Sequence, residues 1–201
     1  MNRDERELIQ RIRNGDRDAF RTVVESYGPR ILTAVRRLTG RAREAQDITQ
    51  DVFVKAFRAI KKYDQRHAFS TWLYRIAVNT AIDAMRKISA NPVERTDDEE
   101  LKRIPGASGG SPERRYETKE AILAVERLAC RLTLKQRAVF ILRDLHGLTT
   151  EEAGRVMGCR ESTVRVHLAN ARNRMRELLF REYPELCESY RKKEQSDHAV
   201  Q

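Results

Sequence analysis

Apolar residues recur every three or four positions through the first part of the chain, from Asp4 to about Lys87. This spacing places them on one face of a helix and predicts a series of amphipathic helices. The stripe between residues 45 and 60 consists of Ile48, Val52, Phe53, Ala56, Phe57 and Ile60. Gly15-Asp16, Gly28-Pro29 and Gly40 predict breaks between helices, with Pro29 in the first turn of one of them.

The helical spacing disappears between Ser89 and Gly110, where two prolines, an acidic run and three glycines follow one another. Such a composition is typical of a linker. Helical spacing resumes after Ser111-Pro112, which has the form of an N-cap and a first-turn proline, and it continues to about Phe180. We therefore predict an all-α protein of two small helical domains, 1–88 and 111–183. A flexible linker (89–110) joins them, and a polar tail (184–201) follows.

The segment that begins at Thr149 has the pattern of a helix-turn-helix. Thr149 and Glu152 form a T-x-x-E capping box that begins a short helix, and Gly158 ends it. Gly154 lies inside this helix, where glycine costs about 1 kcal/mol relative to alanine, so we expect a second helix to approach it closely. The helix that follows at once would enter the major groove of DNA.

The outer face of that second helix carries side chains suited to DNA, and no acid lies between Ser162 and Arg176. Asn and Arg can pair with adenine and guanine edges, while further arginines suit phosphates. An αα-hairpin with a solvated basic face is the alternative. The predicted DNA contacts on this helix are Ser162, Thr163, Arg165, Val166, His167, Asn170, Arg172 and Arg174.

The charge of the chain supports a polyanionic partner. Lys and Arg number 40 against 30 Asp and Glu, a formal net charge of +10, which favours nucleic acid first and an anionic membrane surface second. The three cysteines are widely separated and odd in number, with no spacing suited to zinc or to a disulfide framework. The charged start and the lack of a long apolar run predict a cytoplasmic protein, and we expect no cofactor or metal.

Aromatic and basic residues are interleaved between Lys61 and Lys87. Aromatic rings stack on unpaired bases and cations hold the backbone, so this pattern favours single-stranded nucleic acid. Asn79 lies one helical turn beyond Arg75 and could bond an extruded base, whereas Trp72 and Phe69 could equally belong to the core. The predicted contacts are Lys61, Lys62, Tyr63, Phe69, Trp72, Tyr74, Arg75, Asn79 and Arg86.

A polar surface of a different kind lies between Glu44 and Asp51. Asp47, Gln50 and Asp51 share a helix whose other face carries Ile48 and Phe53. An acidic patch on a basic DNA-binding protein suggests a protein partner, although a solvated helix face would have the same pattern.

With these segments in place, nearly the whole chain resembles the bacterial sigma factors of the extracytoplasmic-function group. DITQDVFVKAF is similar to the family segment that docks on core RNA polymerase, which implies that Asp47, Gln50 and Asp51 contact the enzyme. FSTWLYRIAVNTAIDAMRK is similar to the segment that melts and recognises the minus-ten element. The resemblance implies that Tyr63 and Asn79 line a pocket for a flipped-out base, with the loop Asp64–Phe69 determining which base fits.

The C-terminal segment from Leu132 to Met175 resembles the region that recognises the minus-thirty-five element, and Arg143 and Arg165 match family positions that contact DNA. Many relatives have a small polar residue, a basic residue and an arginine where this chain has Val166, His167 and Asn170. The resemblance therefore implies the mode of binding and leaves the minus-thirty-five sequence open. It also implies an anti-sigma factor as a further partner.

The two promoter elements would lie roughly 55 Å apart, at about 3.4 Å per base pair. A relaxed linker over 89–110 spans only roughly 25 Å, whereas a stretched one reaches about 70 Å. We therefore expect the free protein to bind DNA weakly and the polymerase to hold the domains apart.

Three other functions remain open at this point. A stand-alone helix-turn-helix regulator would leave the aromatic-basic segment and the acidic patch without a role. A nucleic-acid enzyme would need a metal cluster, a phosphate loop or a nucleophile-base pair, and the sequence has none. A membrane-surface protein would need a free apolar face rich in Trp and Phe.

Overall fold

The computed structural model describes residues 3–90 and 112–185, with side chains described for 5–88 and 120–185. Both ranges are helical and contain no strand, which confirms the all-α prediction. The helices are α1 (Arg3–Arg13), α2 (Arg17–Thr39), α3 (Ala42–Ala59), α4 (Phe69–Ala90), α5 (Pro112–Ala129), α6 (Leu134–Phe140), α7 (Thr150–Met157) and α8 (Glu161–Glu182). A 3-10 turn (Ile60–Lys62) follows α3, and a π-helical turn (Ile141–Leu145) extends α6.

Helices α1 to α4 form a bundle in which α3 packs against both α2 and α4. The apolar stripe of α3 faces this bundle as predicted, with Ile48, Val52 and Phe53 buried. Phe57 is the exception: 36% of it is exposed, at the edge of the bundle. Its ring packs edge-on against Phe20, with 4.9 Å between the ring centroids.

The predicted break at Gly28-Pro29 is wrong, because α2 runs through both residues. Pro29 has no N–H to donate to the preceding turn, which usually costs about 3 kcal/mol inside a helix. However, Pro29 is exposed, whereas Val23, Ile31 and Val35 are buried on either side of it. Each buried aliphatic side chain contributes about 1.5–3 kcal/mol, so tertiary burial outweighs the local cost.

The helix-turn-helix consists of α7 and α8, as predicted. Thr149 Oγ1 accepts a hydrogen bond from the backbone N–H of Glu152, and Glu152 Oε2 accepts one from the N–H of Thr149, so the capping box is formed on both sides. Gly158 ends α7 in the left-handed conformation, with φ of 63°. These local contacts hold the short α7 in place for α8 to follow.

Gly154 is in the middle of α7 because there is no room for a side chain. A Cβ atom at this position would lie 2.9 Å from the Cys159 carbonyl oxygen and 3.7 Å from Val164 Cγ2. A close approach at Gly154 is therefore present, but the backbone of the turn makes it. The second helix, which the sequence predicted for this role, is at ordinary van der Waals distance.

The two helical domains contact each other. Helix α4 packs against α7, and α2 packs against α6 and its π-helical turn. One apolar core includes residues of both ranges, among them Val35 and Leu73 of the first and Ile141 and Val156 of the second. A smaller cluster joins α5, α6 and α8 through Leu128, Leu132, Phe140, Ala171, Met175 and Leu178.

Three buried polar contacts cross between the domains. Arg137, only 5% exposed, donates from Nη1 to the Leu38 carbonyl of the first domain at 2.8 Å. Within its own domain it is held by a bond from Nε to the Ala129 carbonyl at 2.9 Å. Glu126 accepts from Arg37 Nε at 2.7 Å. Tyr74 Oη lies 2.9 Å from His146 Nδ1. Because buried polar groups are costly without partners, these contacts specify one way of docking the domains.

Some sequence predictions lie outside the described residues. These are residues 91–110 of the predicted linker (89–110), the N-cap at Ser111 and most of the tail beyond residue 185. The first two residues of the predicted linker are helical instead, because α4 continues to Ala90. Pro112 is the first residue of α5, as expected for a first-turn proline. None of the described helices is long and apolar enough to cross a membrane.

Candidate nucleic-acid interface

An aromatic cluster forms the centre of the first predicted nucleic-acid surface. The Phe69 ring packs against Tyr27, Tyr63 and Trp72, each with 5.4 Å between ring centroids. Phe69 and Tyr63 are almost fully buried, and burial raises the pKa of Tyr63 to about 12. Trp72 is half-buried at the edge of the cluster. The structure thus brings Trp72 to the surface and keeps Phe69 inside.

The exposed side of α4 continues this surface beyond Trp72. Arg75 and Asn79 are exposed one turn apart, as the helical spacing predicted, and Arg86 is exposed nearer the end of the helix. Lys61 and Lys62 are exposed on the 3-10 turn just before it. This arrangement places an indole ring, an amide and several cations on one face.

The loop before α4 is held by its own side chains. Asp64 Oδ1 accepts from the backbone N–H of Arg66 at 3.0 Å, and the Arg66 guanidinium donates to Asp64 Oδ2. These hydrogen bonds lower the pKa of Asp64 to about 2. The Tyr63 hydroxyl donates to the His67 carbonyl and closes the loop from within.

Tyr74 lies on the other side of α4. It is 3% exposed, and its hydroxyl faces His146 of the second domain. Burial raises the pKa of Tyr74, while burial, with Arg37 and Arg30, lowers the pKa of His146 to about 4. In this arrangement Tyr74 is an interdomain residue.

The outer face of α8 is the second predicted surface, and it is largely open. Seven of the eight residues predicted to contact DNA on α8 are exposed, Val166 among them, and the eighth, His167, is half-buried. Arg165 pairs with Glu161 at 3.0 Å and Arg174 with Glu177 at 2.9 Å. Arg172 donates to both carboxylate oxygens of Asp144, at 2.9 and 2.6 Å. The exposed predicted residues other than Val166 are Ser162, Thr163, Arg165, Asn170, Arg172 and Arg174.

Arg143 has a different environment from the α8 arginines. It is half-buried, and its guanidinium donates to the Leu148 carbonyl. Its Nε is buried without a hydrogen-bond partner. Arg143 therefore holds the loop between the π-helical turn and α7, close to the start of the helix-turn-helix.

The exposed polar face of α3 carries Asp47, Gln50 and Asp51, three predicted partner-binding residues. Their spacing puts them on one side of the helix. Val54 follows one turn later and is 46% exposed, next to the partly exposed Phe57. The patch is thus acidic at one end and apolar at the other, a combination suited to a protein surface.

A cleft separates the aromatic surface from the helix-turn-helix. Lys62, Tyr63, Trp72 and Arg75 line one wall. The turn between α7 and α8 lines the other, from Gly158 to Glu161. Among the described residues, no group of His, Cys, Asp and Glu is placed to hold a metal ion.

Comparison with known proteins identifies the family. The model of sigma-70 region 2 matches residues 23–90, and that of sigma-70 region 4 matches residues 122–175. The RNA polymerase sigma-H factor of Pseudomonas aeruginosa is 35% identical over 84% of this chain and 90% of its own length. The ECF sigma factor SigW of Bacillus subtilis is 31% identical over 85% of this chain and 94% of its own.

The chain belongs to the ECF sigma factors. It is therefore a transcription initiation factor that directs RNA polymerase to promoters. The match to both family models and to these relatives confirms the family and the function that the sequence motifs predicted. A stand-alone helix-turn-helix regulator is therefore no longer the alternative.

Solved structures show the same fold as this sigma factor. The structure of CnrH in complex with the cytosolic domain of CnrY has a TM-score of 0.64 and 24% identity, and it covers 88% of this chain and 97% of its own. RpoE of Bartonella quintana, in complex with the anti-sigma factor NepR, has a TM-score of 0.63 and 24% identity. The match covers 80% of this chain and 96% of the RpoE chain. Both comparisons extend over the two domains.

Several residues that shape the sigma factor's surfaces were not predicted from the sequence. Glu161 comes directly before the acid-free segment, and Asp144 lies in the π-helical turn, yet both contact arginines of α8. Val54 and Phe57 were assigned to no surface, although α3 leaves both partly exposed. The i, i+4 spacing of Glu161 and Arg165 was a detectable signal, whereas the contact from Asp144 to Arg172 depends on the tertiary fold.

Proposed function

We propose that this sigma factor docks on core RNA polymerase through α3, recognises the minus-ten element with α4 and recognises the minus-thirty-five element with α8. The observation that carries the proposal is the exposure of base-binding side chains on two separate helices of one chain. Trp72, Arg75 and Asn79 face outward on α4, and Arg165 and Asn170 face outward on α8. A single-stranded reader and a duplex reader in one protein suit a promoter that is melted at one element only.

At the minus-ten element, we assign direct contacts to the exposed residues. Trp72 stacks on an unpaired base, Asn79 bonds a base edge and Arg75 holds the backbone. Lys61, Lys62 and Arg86 attract phosphates. Tyr63 forms the inner wall of the base pocket. Phe69 and Tyr74 support the helix from the core, because neither reaches the surface in this arrangement.

At the minus-thirty-five element, α8 enters the major groove. Arg165 and Asn170 contact base edges, and Ser162, Thr163, Arg172 and Arg174 position the helix on phosphates. His167 contacts the backbone from a half-buried position. Arg143 orients the loop before α7 and reaches a phosphate through the part of its guanidinium that is not buried.

Core polymerase binds the patch formed by Asp47, Gln50, Asp51 and the apolar residues beside it. Charge complementarity favours a basic partner surface, and Val54 adds apolar area at its edge. The experiment is co-elution with sigma-free core polymerase. Asp51→Arg should abolish or strongly reduce co-elution, while Glu25→Arg, a charge reversal at an exposed site on α2, should leave it unchanged. Normal co-elution of Asp51→Arg would contradict the docking assignment.

Promoter binding also requires the two domains to separate. The start of α8 lies across one cleft from Tyr63, Trp72 and Arg75, whereas the two elements are roughly 55 Å apart on DNA. The closed arrangement therefore cannot engage both elements at once. Binding to polymerase would compensate for the lost interdomain contacts.

Run-off transcription tests the whole proposal. Sigma-free core polymerase and a library of promoters randomised in both elements should give specific transcripts that depend on this protein. Asn79→Ala should relax the preference at one minus-ten position and leave the minus-thirty-five preference intact. Loss of all preference, or no change in either element, would contradict the assignment of α4.

We also propose that an anti-sigma factor controls this chain and that it acts in the cytoplasm, where core polymerase is found. Support comes from the neighbours CnrH and RpoE, whose structures are complexes with CnrY and with the anti-sigma factor NepR. Their similarity extends over both domains, so the surfaces available to such a partner have counterparts here.

A further inference from the structure

Val166 is an exposed apolar residue on a face that is otherwise polar and basic. It is 59% exposed, more than Val54, Phe57 or Phe180, the other large exposed apolar residues among those described. Its β-branched side chain slightly disfavours a helix, and no burial compensates for this in the free protein. A residue of this kind suggests a contact that forms only in a complex.

The surroundings of Val166 indicate what that partner is. Thr163 and Asn170, one turn before and after it, are both exposed, and Arg165 lies beside it with 68% of its side chain exposed. Arg172 and Arg174 add positive charge further along the helix. A face with three arginines favours a polyanion over an apolar protein surface.

The major groove of DNA offers one distinctly apolar group, the C5-methyl of thymine. Val166 is six residues into α8, in the second helical turn, and helix-turn-helix proteins contact bases through the first turns of their second helix. Asn170 lies four residues further on, about 6 Å along the axis, which corresponds to roughly two base pairs.

We propose that Val166 determines specificity at one position of the minus-thirty-five element by packing its methyl groups against a thymine methyl. The inference rests on the proposed role of α8. A polar residue at this position would leave the thymine methyl without an apolar neighbour and would accept other bases more readily. The expected consequence is a preference for thymine that depends on the methyl group alone.

The test is replacement of thymine by deoxyuridine, which removes only that methyl group. The preferred minus-thirty-five element is first found by transcription selection with holoenzyme. Each thymine in it is then replaced singly, and promoter affinity of the holoenzyme is measured. One replacement should weaken binding about 3- to 10-fold with the wild-type protein. With Val166→Ser, the same replacement should change binding by less than about 1.5-fold.

Glu25→Ser is the control, because Glu25 is exposed on α2, away from α8 and from the polymerase-docking patch of α3. It should keep the full sensitivity to deoxyuridine. The inference is overturned if no thymine is sensitive, if Val166→Ser remains sensitive, or if Val166→Ser instead reduces affinity for core polymerase. Failure of the selection to yield any minus-thirty-five preference would overturn the proposed role of α8 itself, so the two failures are distinguishable.

Discussion

Several arginines of α8 are already paired with carboxylates before DNA binds. Glu161 pairs with Arg165, and Asp144 forms a two-pronged contact with Arg172. The Arg165 side chain is more than half exposed, and such surface pairs contribute only about 0–1 kcal/mol. A phosphate or guanine edge can therefore replace the carboxylate at little cost, and the acids keep the guanidinium groups pointing along the helix face.

At the scale of single residues, the first prediction concerns Arg165→Ala. If Arg165 contacts a base, the change should weaken binding to the minus-thirty-five element by about 1–3 kcal/mol and relax specificity there. Holoenzyme binding to a set of single-substitution promoters measures both effects. Arg181→Ala, an exposed and similarly paired arginine near the end of α8, should have little effect. Unchanged promoter choice with Arg165→Ala would refute its assignment.

At the scale of the helix, α7 is short and depends on its ends and on one close approach. The capping box and the left-handed Gly158 hold its two ends. In its middle, Gly154 leaves the space taken by the Cys159 carbonyl. The turn backbone at Cys159 can therefore lie closer to α7 than a side chain would permit.

The second prediction compares two glycines within helices. Gly154→Ala should destabilise the protein by about 1–3 kcal/mol, because its Cβ would clash with backbone that cannot move easily. Gly28→Ala should stabilise it by about 0.5–1 kcal/mol, since nothing lies within 4 Å of its Cβ position and alanine favours the helix. Urea denaturation measures both. Equal effects of the two changes would contradict the packing argument.

For the whole molecule, the decisive feature is the contact between the domains. His146 faces Tyr74 of α4 and lies near Arg30 and Arg37 of α2. Its pKa is about 4 when the domains are closed, against about 6.5 for an exposed histidine. The contribution of neutral His146 to the closed state is therefore complete above about pH 6.5, and it is lost as the pH falls from there towards 4.

The third prediction is that acid opens the protein. Between pH 6.5 and 4, each unit should cost the closed state about 1.4 kcal/mol through His146. Small-angle scattering should show a larger radius of gyration at pH 5 than at pH 7.5. His146→Gln cannot titrate, so its radius should change less over the same range. An identical response of the two proteins would exclude His146 as the cause.

Much of the element level could be predicted because its causes are local. Thr149, Glu152 and Gly158 lie within ten residues of one another, and their side chains and backbone suffice to begin and end α7. The apolar stripe on α3 could be predicted from the spacing of apolar residues at the helical period alone. The break predicted at Gly28-Pro29 failed because burial of distant side chains outweighed a correctly judged local cost.

Local sequence thus specified the helices, the helix-turn-helix, the basic charge and the motifs that reveal the family. The tertiary structure decided which aromatic residues face outward and how the domains meet. Tyr74 and His146 are 72 positions apart, and Arg137 and Leu38 are 99 apart. No periodicity or cap encodes such contacts, because they depend on the packing of whole helices rather than on neighbouring residues.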